Sequence, residues 1–162
     1  MLIAIVADTH LPRGRRQLPE SCIERLAEAD LILHAGDLST LPVLEEFRSY
    51  GEVIAVHGNV DNGEVRAALP QTATFSADGA TVAVIHDAGP RIGRLNRLRH
   101  HFPDADAVVF GHSHIPLHER APDGFQIFNP GSPTDRRRAR HHTMGLARAS
   151  DGSVRFELVN LD

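Results

Sequence analysis

The sequence predicts an α/β fold in which two mixed β-sheets pack together with helices outside. Three observations carry that prediction. Short apolar runs alternate with helical segments in the first half. Three pairs of strand-like runs flank Asp-Gly turns in the second half. Residues able to bind metal follow five of the apolar runs, as expected where strand ends gather on one rim of a sheet.

Leu2–Ala7 is continuously apolar, the pattern of a strand buried on both faces. Pro19, Glu20 and Ser21 resemble a helix start, with Ile23, Leu26 and Ala27 recurring on one face. Leu31–Leu33 is the second strand. Ser39 or Thr40 can cap a helix containing Leu44, Glu45, Glu46 and Phe47, and Gly51 can end it. Val53–Val56 is the third strand. This β-α-β-α-β order implies parallel strands joined by right-handed crossovers. Phe75–Ala77 and Thr81–Ile85 flank Asp78-Gly79, a hairpin signal. Ile92, Leu95 and Leu98 mark a helix that Pro103 breaks, and Ala107–Phe110 is a further strand. Pro116–Arg120 and Phe125–Phe128 flank Pro122-Asp123-Gly124, and Thr143–Arg148 and Val154–Val159 flank Asp151-Gly152, giving two more hairpins. No repeat, low-complexity tract or linker divides the chain, so residues 1–162 read as one domain.

Composition narrows the function. Of 162 residues 41% are apolar, enough for a packed core without disulfides, and the single cysteine, Cys22, points to a reducing compartment. No apolar stretch approaches bilayer-spanning length, and the first residues lack a leader pattern, so a cytoplasmic location without membrane contact is the default expectation. The 17 basic and 21 acidic residues leave a net charge of −4, and aromatics are only 5%, which argues against a stable nucleic-acid partner.

The residues that carry chemistry are Asp8-Thr-His10, Gly36-Asp37, Gly58-Asn59, His86 and Gly111-His112-Ser113-His114. Taken singly, each has an ordinary reading: a helix cap, a tight turn or a hydrogen-bonded histidine. Together, each after a strand, they assemble three carboxylate or amide oxygens and four imidazoles. That set suits two divalent cations sharing a bridging carboxylate. Glycine beside Asp37 would allow close backbone approach, and its two carboxylate oxygens could serve two ions. Mixed nitrogen and oxygen donors suit Mn, with Fe, Zn, Ni or Co as alternatives, better than Mg or Ca.

These motifs resemble those of the calcineurin-like metallophosphoesterases, specifically the small single-domain YfcE/MJ0936-like phosphodiesterase branch, whose fold the eukaryotic retromer subunit Vps29 shares. The resemblance runs from Asp8 through Asn129-Pro130-Gly131-Ser132. It implies a four-layer αββα sandwich with a dinuclear centre. One metal would be held by Asp8, His10, Asp37 and His114, the other by Asp37, Asn59, His86 and His112, with Asp37 as the bridge. The chain departs from the family pattern twice. Asn59-Val60-Asp61 lacks the histidine that many members place after the asparagine to protonate the leaving group. Asp87 stands where the family usually has glycine.

The function expected from this resemblance is hydrolysis of small phosphodiesters by in-line attack of a metal-bridging hydroxide. The two ions would sit about 3.5–4 Å apart, with Asp37, Asn59 and His112 nearest the chemistry. Arg13, Arg15 and Asp87 are candidate contacts to a small phosphoester substrate, and Arg136, Arg137, Arg138 and Arg140 add positive charge after the Asn129–Ser132 segment. Self-association into a homodimer or tetramer is a further expectation drawn from the branch. The competing reading is a non-catalytic, metal-binding interaction scaffold similar to Vps29. The complete set of competent donors favours catalysis.

Overall fold

Strand β1 (Leu2–Val6) leads through helix α1 (Glu20–Glu28), β2 (Leu31–His34), α2 (Leu41–Tyr50) and β3 (Val53–Ala55) to α3 (Gly63–Ala68). The chain continues through β4 (Thr72–Ala77), β5 (Ala80–Ile85), α4 (Arg94–His101), β6 (Ala107–Phe110), β7 (Leu117–Arg120) and β8 (Gln126–Asn129), ending in β9 (Thr143–Ser150) and β10 (Ser153–Asn160). This computed structural model describes residues 1–12 and 14–162.

One sheet has the order β10-β9-β1-β2-β3 and the other β4-β5-β6-β8-β7. In the first, β1, β2 and β3 run parallel, as the helical crossovers require, while β9 and β10 form an antiparallel pair against β1. In the second, β5, β6 and β8 run parallel, with antiparallel β4 and β7 at the edges. All three Asp-Gly hairpins form where the sequence places them.

Side-chain alternation builds the layers. Ile3, Ile5 and Ala7 of the first sheet face Val82, Val84, Val109 and Phe128 of the second. Their neighbours Ala4 and Val6 point the other way, into Cys22 and Leu26 of α1 and Leu44 and Phe47 of α2. Across the molecule, Ala83, Val108 and Ile127 pack on Leu98 of α4. Hence β1 is apolar at every position: both of its faces are covered. Each such fully buried aliphatic side chain contributes about 1.5–3 kcal/mol. The result is the αββα sandwich.

Two local features differ from the sequence expectation. Helix α3 is short; the Asn62 side chain accepts the Val65 N–H at 3.0 Å and starts it, and its single buried residue, Val65, leaves no readable periodicity. Ile92 does not belong to the apolar face of α4. It precedes the helix and is 91% exposed, because Gly93 takes a left-handed conformation (φ 71°) and the helix begins only at Arg94.

The sheets interlock at one tight point. The Phe128 and Phe156 rings stack across the sandwich with centroids 4.7 Å apart. Gly145 of β9 makes room for this stack: a Cβ there would overlap the Phe128 ring and lie 3.2 Å from the Ile5 Cβ. Gly145→Ala is therefore expected to destabilise the fold by about 1–3 kcal/mol through overpacking, read by denaturant unfolding. An unchanged midpoint would contradict this packing.

Candidate metal centre

The parallel strands bring their C-terminal ends to one rim. Asp8 and His10 follow β1, Asp37 follows β2, Asn59 follows β3, His86 follows β5, and His112 and His114 follow β6. Main-chain bonds tie these loops into one body. Asp8 N–H donates to Gly36 O, His10 N–H to Asp37 O and Gly111 N–H to His86 O, each at 3.0 Å.

The side chains converge into two groups, Asp8–His10–His114 and Asp37–His86–His112, within which the candidate donor atoms all lie within 4.8 Å of one another. His10 Nε2 lies 3.1 Å from His114 Nε2. Asn59 Oδ1 lies 3.1 Å from both His86 Nε2 and His112 Nδ1, joining the second group. Asp37 sits between the groups, its Oδ2 3.2 Å from His86 Nε2 and 3.8 Å from His10 Nε2. The structure thus brings together all seven donors expected from the sequence.

Several donors are buried without a hydrogen-bond partner among the described residues: both Asp8 oxygens and His10 Nδ1. Burial pushes the Asp8 carboxyl up to about 7 and the His10 imidazole down to about 4, so each resists carrying charge. Burial also favours neutral His86, but its contacts with Asp37 and Asp8 outweigh that and raise its pKa. Asp37 is held below the usual carboxylate range despite its burial, chiefly by its hydrogen bond with His86. Orphaned buried polar atoms are costly. This mixed oxygen and imidazole donor set fits divalent cations.

The profile of the calcineurin-like phosphoesterase superfamily domain matches residues 1–152. The chain belongs to that superfamily. A probable metallophosphoesterase of Methanothermobacter thermautotrophicus is 34% identical over 137 residues, covering 83% of this chain and 78% of that protein. The solution structure of the Thermotoga maritima protein TM1076 is 27% identical with a TM-score of 0.77, covering 99% of each chain. Wild-type Vps29 of Entamoeba histolytica complexed with Zn, at 21% identity, has the same fold, with a TM-score of 0.77 over 100% of both chains. The chain is accordingly a calcineurin-like metallophosphoesterase. No helix among the described residues is long and apolar enough to cross a membrane.

In this phosphoesterase a second layer of residues orients the donors. His86 Nδ1–H donates to Ala35 O at 2.8 Å and His114 Nδ1–H to Asp135 O at 2.5 Å, which turns each Nε2 toward the centre. Asp61, which sequence reasoning missed as a functional residue, accepts from three backbone amides: Asp37 N at 3.1 Å, Gly58 N at 2.7 Å and Ser39 N at 2.6 Å. Its only sequence signal is its place two residues after Asn59. His34 is fully buried below the loops, where its Nδ1 accepts the Gly36 N–H and its Nε2–H donates to Thr9 Oγ1 at 3.0 Å. The Asn129–Ser132 segment supports two loops: Ser132 Oγ donates to Asp8 O and Asn129 Nδ2 to Gly111 O, both at 2.9 Å.

The candidate substrate contacts fall in different places. Asp87 lines a cleft of about 210 Å³ together with Asn59, His86, Arg66 and Gln71. Arg15 instead lines a separate cavity with Leu18, Ile23 and Glu46. Arg13 lies outside the described residues. Of the later arginines, Arg137 is near enough to Asp8, His10 and His114 to influence all three electrostatically.

Two outcomes follow from this geometry. Asp61→Ala frees three amides that position Asp37 and Gly58, so metal affinity should fall about 10–100-fold in a chelator competition assay; unchanged affinity would remove Asp61 from this role. The second concerns the metal-stripped protein. The Asp8 pKa is raised from 3.8 to about 7 on folding, so its stabilising contribution is complete below about pH 4 and is lost as pH rises through about 7. The melting temperature of wild type relative to Asp8→Asn should therefore fall across that window, and divalent cation at pH 7 should restore it. A difference that is flat with pH would contradict the assignment.

Proposed function

We propose that this metallophosphoesterase hydrolyses small phosphodiesters with two divalent cations, most suitably Mn, held by the seven converged donors. The carrying observation is the pair of donor groups that meet at Asp37. Asp8, His10, Asp37 and His114 would hold one ion, and Asp37, Asn59, His86 and His112 the other, with Asp37 common to both. Bound there, two cations supply a water activated at neutral pH and neutralise charge on the phosphoryl oxygens.

The chain's own residues do the rest. Asp37 sets the spacing of the two sites, because its carboxylate is fixed by the Val60 N–H at 2.9 Å and its backbone by Asp61. Asn59 and His112 stand exposed at the mouth, where a phosphoryl group enters; each has a side-chain donor to offer its oxygens. The guanidinium of Arg137 adds positive charge on the His10–His114 side, which favours an anionic substrate. Val60 carries no titratable proton and the Asp61 carboxylate is engaged by three backbone amides, so neither takes the place of the histidine many family members have in this loop.

A second reading, a scaffold that binds metal without turnover, has support in the full-length likeness to Vps29 and in the exposed apolar side chains of Val60 and Ile115 beside Asn59 and His114. Turnover separates the two. Metal-stripped protein should hydrolyse bis-p-nitrophenyl phosphate when Mn is restored, faster than p-nitrophenyl phosphate, and Asp37→Asn should reduce the rate to the metal-free background. Folded protein that binds two ions yet turns over neither ester with any of Mn, Fe, Co, Ni or Zn would favour the scaffold.

A further inference from the structure

The cleft beside Asn59 and His86 contains more than proposed metal donors. Its wall also includes Arg66 of α3, Gln71 just before β4, Ile85 at the end of β5 and Asp87 in the following loop. These residues share a cavity of about 210 Å³ with Asn59 and His86 of the candidate centre. A phosphoester whose phosphoryl oxygens sit at the centre would extend its organic part into this space.

The cleft has a definite chemistry. Arg66 makes two backbone contacts, its Nε donating to Asp61 O at 2.9 Å and its Nη2 to Asn59 O at 2.5 Å. Two of its five N–H donors are thus spent on neutral backbone carbonyls, and its positive charge remains at the cleft wall. Asp87 makes one backbone contact, a carboxylate oxygen accepting the Gly89 N–H at 2.8 Å, which leaves the second oxygen outside that bond. Gln71 offers an amide donor and acceptor, and Ile85 an apolar surface for a carbon skeleton. A carboxylate here repels a second anionic group on the substrate and accepts hydrogen bonds from hydroxyls.

We propose that this cleft receives the alcohol moiety of the phosphoester, and that Asp87 selects an uncharged, hydroxyl-bearing alcohol of about sugar-ring size over an anionic one. The proposal rests on the phosphoesterase reading only for the placement of the phosphoryl group.

Two probes with one skeleton test it. Glycerol 3-phosphate and 3-phosphoglycerate differ only in a hydroxymethyl group against a carboxylate. Each is titrated calorimetrically into Mn-loaded protein at low salt, using wild type, Asp87→Asn and Asp104→Asn. Asp87→Asn keeps an oxygen for Gly89 N–H while removing the charge. It should shift the ratio of the two affinities about fivefold towards 3-phosphoglycerate, the scale of one exposed like charge. Asp104→Asn makes the same charge change in the loop before β6, at the opposite end of that strand from His112, and should leave the ratio unmoved. An unchanged ratio in Asp87→Asn, or an equal shift in Asp104→Asn, would overturn the proposal. Hydrolysis of bis-p-nitrophenyl phosphate reads the phosphoesterase assignment separately: no turnover with the ratio shift intact would sink that assignment and uphold the selectivity of the cleft.

Discussion

Buried ring nitrogens and carboxyl oxygens crowd together at the rim of this sandwich. His10 and His114 bring their Nε2 atoms within 3.1 Å of each other, and the Asp8 carboxyl is buried beside them without a hydrogen bond among the described residues. Buried polar atoms without partners are costly, and these stay in place because the backbone around them is fixed. The parallel register of β1 with β2 and of β5 with β6 fixes where their loops begin, and the apolar layer between the sheets fixes how far apart they lie. A dense core thus enforces a crowd of ligands that would otherwise separate. Divalent cations are the natural partners for that crowd.

The enforcement is visible in the backbone. Asp8, His10, Asp37, His112 and His114 all take positive φ, between 46° and 68°. Such conformations cost of order 1–3 kcal/mol each for residues with a Cβ and persist only where their surroundings over-determine them. Here the surroundings are hydrogen bonds to the loops from Asp61, Ser132 and Asn129, and glycines where no Cβ fits. A Cβ on Gly36 would lie 2.7 Å from His86 Nδ1, and one on Gly58 would overlap the Asp37 carboxylate. The second-layer residues therefore act by geometry: they hold strained ligands in place, and the Ala35 and Asp135 carbonyls set which nitrogen of His86 and His114 faces inward.

How far the fold and the site could be read from the sequence depended on how local each signal was. Strands buried on both faces leave continuous apolar runs, and Asp-Gly turns mark hairpins, so both sheets were legible. The donors were legible because each follows such a run. Asp61 was not, since its three amide partners come from two loops and its own spacing resembles a plain turn. Asp135 escaped for a related reason: it holds His114 through its main-chain oxygen, which leaves no trace in residue identity. Helix α3 is too short for periodicity, and Ile92 was assigned to an apolar face that Gly93 interrupts. Arginine clusters gave proximity in sequence only. Arg137 lies near enough to the centre to act on it electrostatically, whereas Arg15 lines another cavity.

The account turns on the claim that the seven donors form two cation sites joined by Asp37. An anomalous difference map at the Mn absorption edge, from crystals grown with Mn, tests that claim most directly. The account predicts two peaks, one among Asp8, His10 and His114, the other among Asn59, His86 and His112, each also in contact with Asp37. A single peak, or two peaks that do not share Asp37, would contradict it.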